Sequence, residues 1–140
     1  MRILVVAGLL IASFCALGCA TESGGDITGP TWRLVSITTQ RPAFQGIVPA
    51  EAMMNYTITF NDDGTFAAKA DCNQVSGTYT IQNNSVLTIV PVASTLALCG
   101  EESLSDAYVA ALAQAGSYTT AENQLTITLL DSGTLTFASA

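Results

Sequence analysis

Cysteine is the side chain with the most chemistry to offer in this chain of 140 residues, and its four copies divide by context. Cys15 and Cys19 lie at the end of an apolar run, Ile3 to Leu17. Cys72 and Cys99 stand far downstream. No two cysteines show the C-x-x-C spacing of a reactive dithiol. The chain has no histidine, which removes Ser-His and Cys-His catalysis and the commonest transition-metal ligand. An even pair in an exported chain forms a structural disulfide where the compartment is oxidising. Cys72 and Cys99 are therefore expected to be bridged, and closing a loop of that length stabilises the fold by roughly 3–4 kcal/mol.

Export itself is read from the first residues. Arg2 and the N-terminal amine supply a positive start, the run from Ile3 to Leu17 carries no charge, and small residues follow. That is the layout of a secretory signal, and it is shorter than the roughly 20 apolar residues of a membrane-spanning helix. Ala16-Leu17-Gly18-Cys19 resembles the bacterial lipobox at Gly18 and Cys19 and departs from it at Ala16 and Leu17. Two outcomes stay open: a lipid on Cys19, or plain secretory cleavage near Gly18 or Ala20 with release. In the first, residues 1–18 are the signal, 19–29 a flexible tether and 30–140 a domain. Ala20 to Asp26 is polar and Gly-containing, as a tether requires. Ala20 is unlike the Asp that marks inner-membrane retention, so the expected place is the outer membrane, facing the periplasm. The alternative is a secreted protein.

Charge excludes further classes. Beyond residue 18 the basic groups are Arg33, Arg41 and Lys69 against 11 acidic ones, a net charge of −8. Nucleic-acid binding relies on basic surface, as does adhesion to anionic lipid through charge. The expected membrane link is therefore the lipid on Cys19, with an envelope protein as possible partner and no nucleic acid, metal or cofactor. Asn61-Asp62-Asp63-Gly64 faintly resembles half of a calcium loop, but Cys72 stands where the closing glutamate belongs. A hairpin turn is the simpler reading. Glu101 and Glu102 suit a helix start. Paired carboxylates for glycoside hydrolysis need facing walls of a cleft, and the acidic residues here fall in turns.

The elements that position these groups are mostly strands. Trp32 and Leu34 open a first strand running to about Thr39. Gln40 to Asn55, broken by Pro42, Gly46 and Pro49, reads as a long connection. Its apolar residues Phe44, Ile47, Val48, Met53 and Met54 suit either a cap on the core or a partner surface. Tyr56 to Phe60 alternates cleanly and pairs with Thr65 to Ala70 across a turn. Asp71 to Gly77 reads as a loop, Thr78 to Gln82 and Val86 to Val92 as a hairpin about Asn83-Asn84, with Pro91 at a strand end or edge. Leu104, Tyr108, Ala111, Leu112 and Ala115 follow helical spacing, with Ser103 as cap and Gly116 as stop. Strands at Ser117 to Thr120, Gln124 to Leu129 and Thr134 to Phe137 complete the chain. The expectation is a mainly β protein, about eight antiparallel strands curled around one core with one α-helix as its lid.

Asp71-Cys72-Asn73 followed by Ser76-Gly77-Thr78-Tyr79 resembles the central motif of the META domain family, which includes heat-shock lipoproteins of the HslJ type. Trp32 and Leu34 match its opening strand, Thr95 to Cys99 its T-x-x-x-C element, Glu102 to Leu112 its acidic-led helix, and Leu125 its L-T-L strand. The ordered set covers residues 30–138. Gly100 departs from the pattern, where a proline is common. The resemblance implies a small antiparallel β-barrel or half-barrel with one helix, exported and often lipid-anchored, in a family associated with stress response and antibiotic tolerance. It carries no catalytic residues. Cys72 and Asn73 are the leading candidates for a special role, with Asn73 expected to hold an unusual turn and Gly77 to supply a backbone angle or a close strand approach. Two functions follow as expectations: a non-enzymatic envelope protein acting by protein contacts, or a small-molecule or acyl-chain carrier using the barrel interior.

Overall fold

The computed structural model describes residues 24–139; the expected signal, Cys19 and the start of the tether lie outside them. Nine strands form one antiparallel sheet: β1 Thr31–Gln40, β2 Ala43–Ile47, β3 Tyr56–Phe60, β4 Thr65–Ala70, β5 Asn73–Gln82, β6 Val86–Ser94, β7 Ala115–Ala121, β8 Gln124–Leu129 and β9 Thr134–Ser139. β1 pairs with both β3 and β9, which closes a barrel of eight strands, and β2 hangs on β1 as an extra hairpin arm. The expected mainly β barrel with one helix, α1 Ser105–Leu112, is therefore the observed fold.

The alternation in β3 places Tyr56, Ile58 and Phe60 inward, and β4 answers with Phe66, Ala68 and Ala70. Leu87 and Ile89 of β6, Leu125 and Ile127 of β8, and Leu135 and Phe137 of β9 complete the wall of the core. Tyr108 of α1 is fully buried and its hydroxyl donates to the Thr57 carbonyl at 3.0 Å. Its ring meets Tyr56 edge-on with centroids 6.2 Å apart.

The barrel is asymmetric along its axis. At one end lie the β3–β4, β5–β6 and β7–β8 turns, where the chain enters; we call this the attachment end. At the other lie α1, the β4–β5 turn and the long connection 95–104; this is the helix end. β6 and β7 pair only at Val86 and Ser117, near the attachment end. The rest of β6 faces no strand on that side, which agrees with Pro91 as an edge residue.

Several boundaries differ from the sequence reading. Residues 24–29, expected in the tether, belong to the domain: Ile27 is fully buried and its carbonyl accepts from Trp32 Nε1 at 3.0 Å. The connection 40–55 contains β2 and a 3₁₀ turn, Ala50–Asn55, because Ala43–Ile47 pairs through its backbone with Ser36–Gln40 while its side chains stay mostly exposed. β5 begins at Asn73, not Thr78, and β6 continues past Pro91 to Ser94 by a bulge opposite Ser76 and Gly77. The helix starts at Ser105, with Ser103 Oγ accepting the Ser105 N–H at 3.1 Å. It stops at Leu112, and Gly116 lies inside β7. The chain must already be extended at Ala115 to pair with Leu129, so the helix ends one turn early.

Candidate functional site

The motif residues divide between a polar clamp at the helix end and a fastening at the attachment end. The clamp is built on Asn73, the first residue of β5, only 4% exposed. Asp71 and Cys72 form the two-residue turn before it, and Asp71 takes a left-handed backbone, φ 58°, which Asp tolerates better than most residues. Cys72 is bridged to Cys99, with Cα atoms 5.5 Å apart. Asn73 Nδ2 donates to the Ala97 carbonyl and to Ser105 Oγ, each at 3.0 Å. Asn73 Oδ1 accepts from the Ala97 N–H at 2.8 Å and from Thr95 Oγ1 at 3.0 Å. Thr95 Oγ1 in turn accepts the Gln74 N–H at 2.9 Å. One buried amide thus fixes β5, the 95–99 loop and the first residue of α1. The partners of Asn73 lie in the 95–99 loop and at Ser105, away from the turn it was expected to hold.

Tyr56 extends the clamp. Its hydroxyl accepts the Leu104 N–H at 3.0 Å and donates to Asp71 Oδ2 at 3.4 Å. Gly77 serves close approach and not an unusual angle: a Cβ there would overlap the Val90 carbonyl oxygen where β6 bulges across it. Glu102 is exposed in the turn before α1.

At the attachment end, Trp32 is buried and holds Ile27. Tyr79 packs edge-on against Phe60, centroids 4.9 Å apart, and donates to the Asn61 carbonyl at 2.6 Å. Partial burial is the main cause that raises the Tyr79 phenol above its ordinary value. Burial alone drives Tyr108 much further in the same direction. Leu34, Leu112 and Leu125 are fully buried in the core.

Three carboxylates order turns and the start of the domain. Asp63 Oδ1 accepts from both the side chain and the backbone of Thr65, and Asp26 does the same with Thr28. Asp131 accepts from the backbones of Gly133, Gln40 and Arg41. These donors hold all three below the usual carboxylate value. Asp62 and Asp63 thus sit in a hairpin turn as expected. Among the described residues no three Cys, Asp or Glu side chains gather as a metal site.

Large side chains crowd the interior that the carrier expectation would use. Tyr108, Leu112 and Phe137 are fully buried beneath the helix, with Tyr108 and Phe137 ring centroids 6.2 Å apart, and Phe60 and Phe66 are buried toward the attachment end. Clefts beside α1 open to solvent. One of about 310 Å³ runs between α1 and the β1–β2 hairpin, lined by Phe44, Ala110, Leu129 and Arg41. The apolar connection splits its roles: Val48 is buried and Met53 packs on the core, while Ile47 and Met54 are exposed. Among the described residues no helix is long and apolar enough to cross a membrane.

Sequence reasoning missed Ile27, Ser105 and Tyr56. Ile27 is the lone large apolar side chain in the stretch 19–29, and that isolation is a usable signal. Ser105 carries no signal, since its partner lies 32 positions away.

Residues 25–140 match the family model of the META domain. Two solved structures share the fold. One is the NMR structure of a protein from Burkholderia xenovorans, at TM-score 0.66 and 20% identity, covering 81% of this chain and 83% of that one. The other is the crystal structure of a DUF4847 family protein from Bacteroides vulgatus, at TM-score 0.61 and 17% identity, covering 80% and 93%. No curated protein matches the chain.

Proposed function

The chain belongs to the META domain family, and from that premise we propose that it is an exported, lipid-anchored envelope protein that acts by contacts with another protein, in stress or drug tolerance, without turning over a substrate. The observation that carries this reading is how the motif is used. Asn73 commits both its oxygen and its nitrogen to internal partners, and the Cys72–Cys99 pair is covalently closed. The motif is therefore a device for holding a shape, and held shapes serve recognition. The export part rests on the apolar run ending at Gly18-Cys19.

Native mass spectrometry of the protein released gently from its own membranes tests the reading. The expected species begins at Cys19, carries a lipid there, keeps one disulfide and holds no small molecule. An unlipidated species in the culture medium would overturn the anchor. A bound molecule that leaves on activation would overturn the non-carrier part. A turnover that depends on one side chain would overturn the non-enzymatic part.

A further inference from the structure

The loop that the clamp holds presents leucine to water. Leu96 is 92% exposed and Leu98 is 100% exposed. Between them, Ala97 gives its N–H to Asn73 Oδ1 and its carbonyl accepts from Asn73 Nδ2. The middle residue is gripped on both backbone groups and Cys99 is bridged to Cys72, so the backbone beside both leucines is tied to the barrel. A buried amide, a threonine and a disulfide thus hold the backbone that carries two exposed apolar side chains. The chain leading into the loop carries no charge: no Asp, Glu, Lys or Arg occurs from Asn73 to Gly100. On the C-terminal side acids follow at once. Glu101 and Asp106 line the same open cleft as Leu98, with Glu102 adjacent and exposed.

The placement of the loop on the barrel limits what can cover it. Gly24 donates to the Asn84 carbonyl at 2.7 Å, and Gly25 to Thr120 Oγ1 at 2.7 Å, both at the attachment end. Cys19 lies five residues before Gly24, a reach of at most ~17 Å. The leucine loop begins at the far end of β6, nine residues along the barrel, roughly 20–30 Å away. A lipid on Cys19 therefore draws the opposite end toward the membrane and leaves the loop facing outward. Charge argues the same way. An anionic lipid surface repels the acidic flank, and a second copy would set the same acids against themselves.

We infer that Leu96 and Leu98, flanked by Glu101, Glu102 and Asp106, dock into an apolar pocket rimmed by Lys or Arg on a partner protein. This names the contact surface within the proposed function and rests on that reading. Apolar anchors supply the affinity of such contacts, and complementary rim charge supplies partner choice and association rate.

The test is photo-cross-linking in the cells that make the protein, on the full chain, with a photoreactive residue at position 98 and, separately, at position 47. Position 98 is expected to give one protein adduct. The adduct should fall at least about tenfold with Glu101→Lys/Glu102→Lys, and in isolated envelopes at about 0.5 M salt, where the Debye length is only a few ångströms. Melting temperatures of these variants should stay within a degree or two, since every altered side chain is exposed. Adducts from position 98 to lipid alone, to a second copy of the chain, or to a protein indifferent to charge reversal would overturn the inference. A charge-sensitive protein adduct from position 47 and none from 98 would overturn it while leaving the protein-contact reading standing. No protein adduct from either position would overturn both.

Discussion

The two ends of the barrel are closed by different means. The attachment end is shut by apolar matter: Ile27 lies fully buried across the opening, held by Trp32, and Phe60 packs against Tyr79 beside it. The helix end combines a buried Tyr108 with a polar and covalent fastening, Asn73 and the Cys72–Cys99 bridge. Apolar closure works only by turning hydrophobic side chains inward. A hydrogen-bonded and covalent closure sets no such rule for the outward side. The attachment end accordingly shows polar turns to solvent, whereas the helix end shows Leu96 and Leu98. The family motif lies mainly in the fastening of the helix end, beside the loop that presents these leucines.

The sharpest way to break this comparison is to cut each closure. The double substitution Cys72→Ala/Cys99→Ala should lower unfolding free energy by roughly 3–4 kcal/mol, read from the urea midpoint. An unchanged midpoint would mean that the covalent part of the closure is idle. Ile27→Ala should cost about 3 kcal/mol by leaving a cavity, and as a core effect it should speed exchange of amides across the barrel. Exchange confined to residues 24–29 would show that the segment is an appendage. Asn73→Ala should cost about 2 kcal/mol, since it strands Ser105 and both backbone groups of Ala97 near the surface, where water reclaims part of the loss. Its signature should be local: the Ala97 amide exchanges fast while β8 and β9 amides stay protected. Global loosening would mean that Asn73 supports the core and not the loop.

How much of this was legible follows from where each signal resides. Tyr56 to Phe60 was plain because one face is buried and one is wet, so the chemistry alternates with the pleat. Asn83-Asn84 was plain because both residues adopt φ 53°, a left-handed turn that Asn tolerates. β2 was illegible because its side chains face solvent on nearly all positions, and backbone pairing leaves no trace in residue type. Cys72 and Cys99 were readable by count and compartment. Asn73 was readable as a candidate, but its reach to Ser105 and Ala97 was not, since hydrogen bonds between distant segments impose no spacing. The exposed leucines were hidden for a related reason: an apolar residue announces burial by default, and only the clamp on Ala97 reverses that default.

The smallest expected effect compares the two ends through their carboxylates. Asp26 and Asp63 order turns of the attachment end, each through a Thr two residues on. Asp131 ties the β8–β9 turn to the β1–β2 hairpin at the helix end. All three are held below the ordinary value of 3.8 by the donors that face them. A carboxyl whose folded pKa is depressed binds protons more readily once the chain unfolds. Its contribution is therefore complete above the unfolded value and is lost as pH falls through the folded one. Melting temperature should be flat above about pH 5 and decline below pH 3.8. Asp131→Asn removes one charge-assisted acceptor, so it should melt about 1–2 °C lower at neutral pH and converge with the parent chain in acid. Asp63→Asn should behave alike if the two ends share one cooperative unfolding. Should Asp131→Asn instead run parallel to the parent down to acid pH, the carboxylate would be ornamental to the hairpin. Should Asp63→Asn and Asp131→Asn shift separate transitions, the helix end would be a unit that opens on its own.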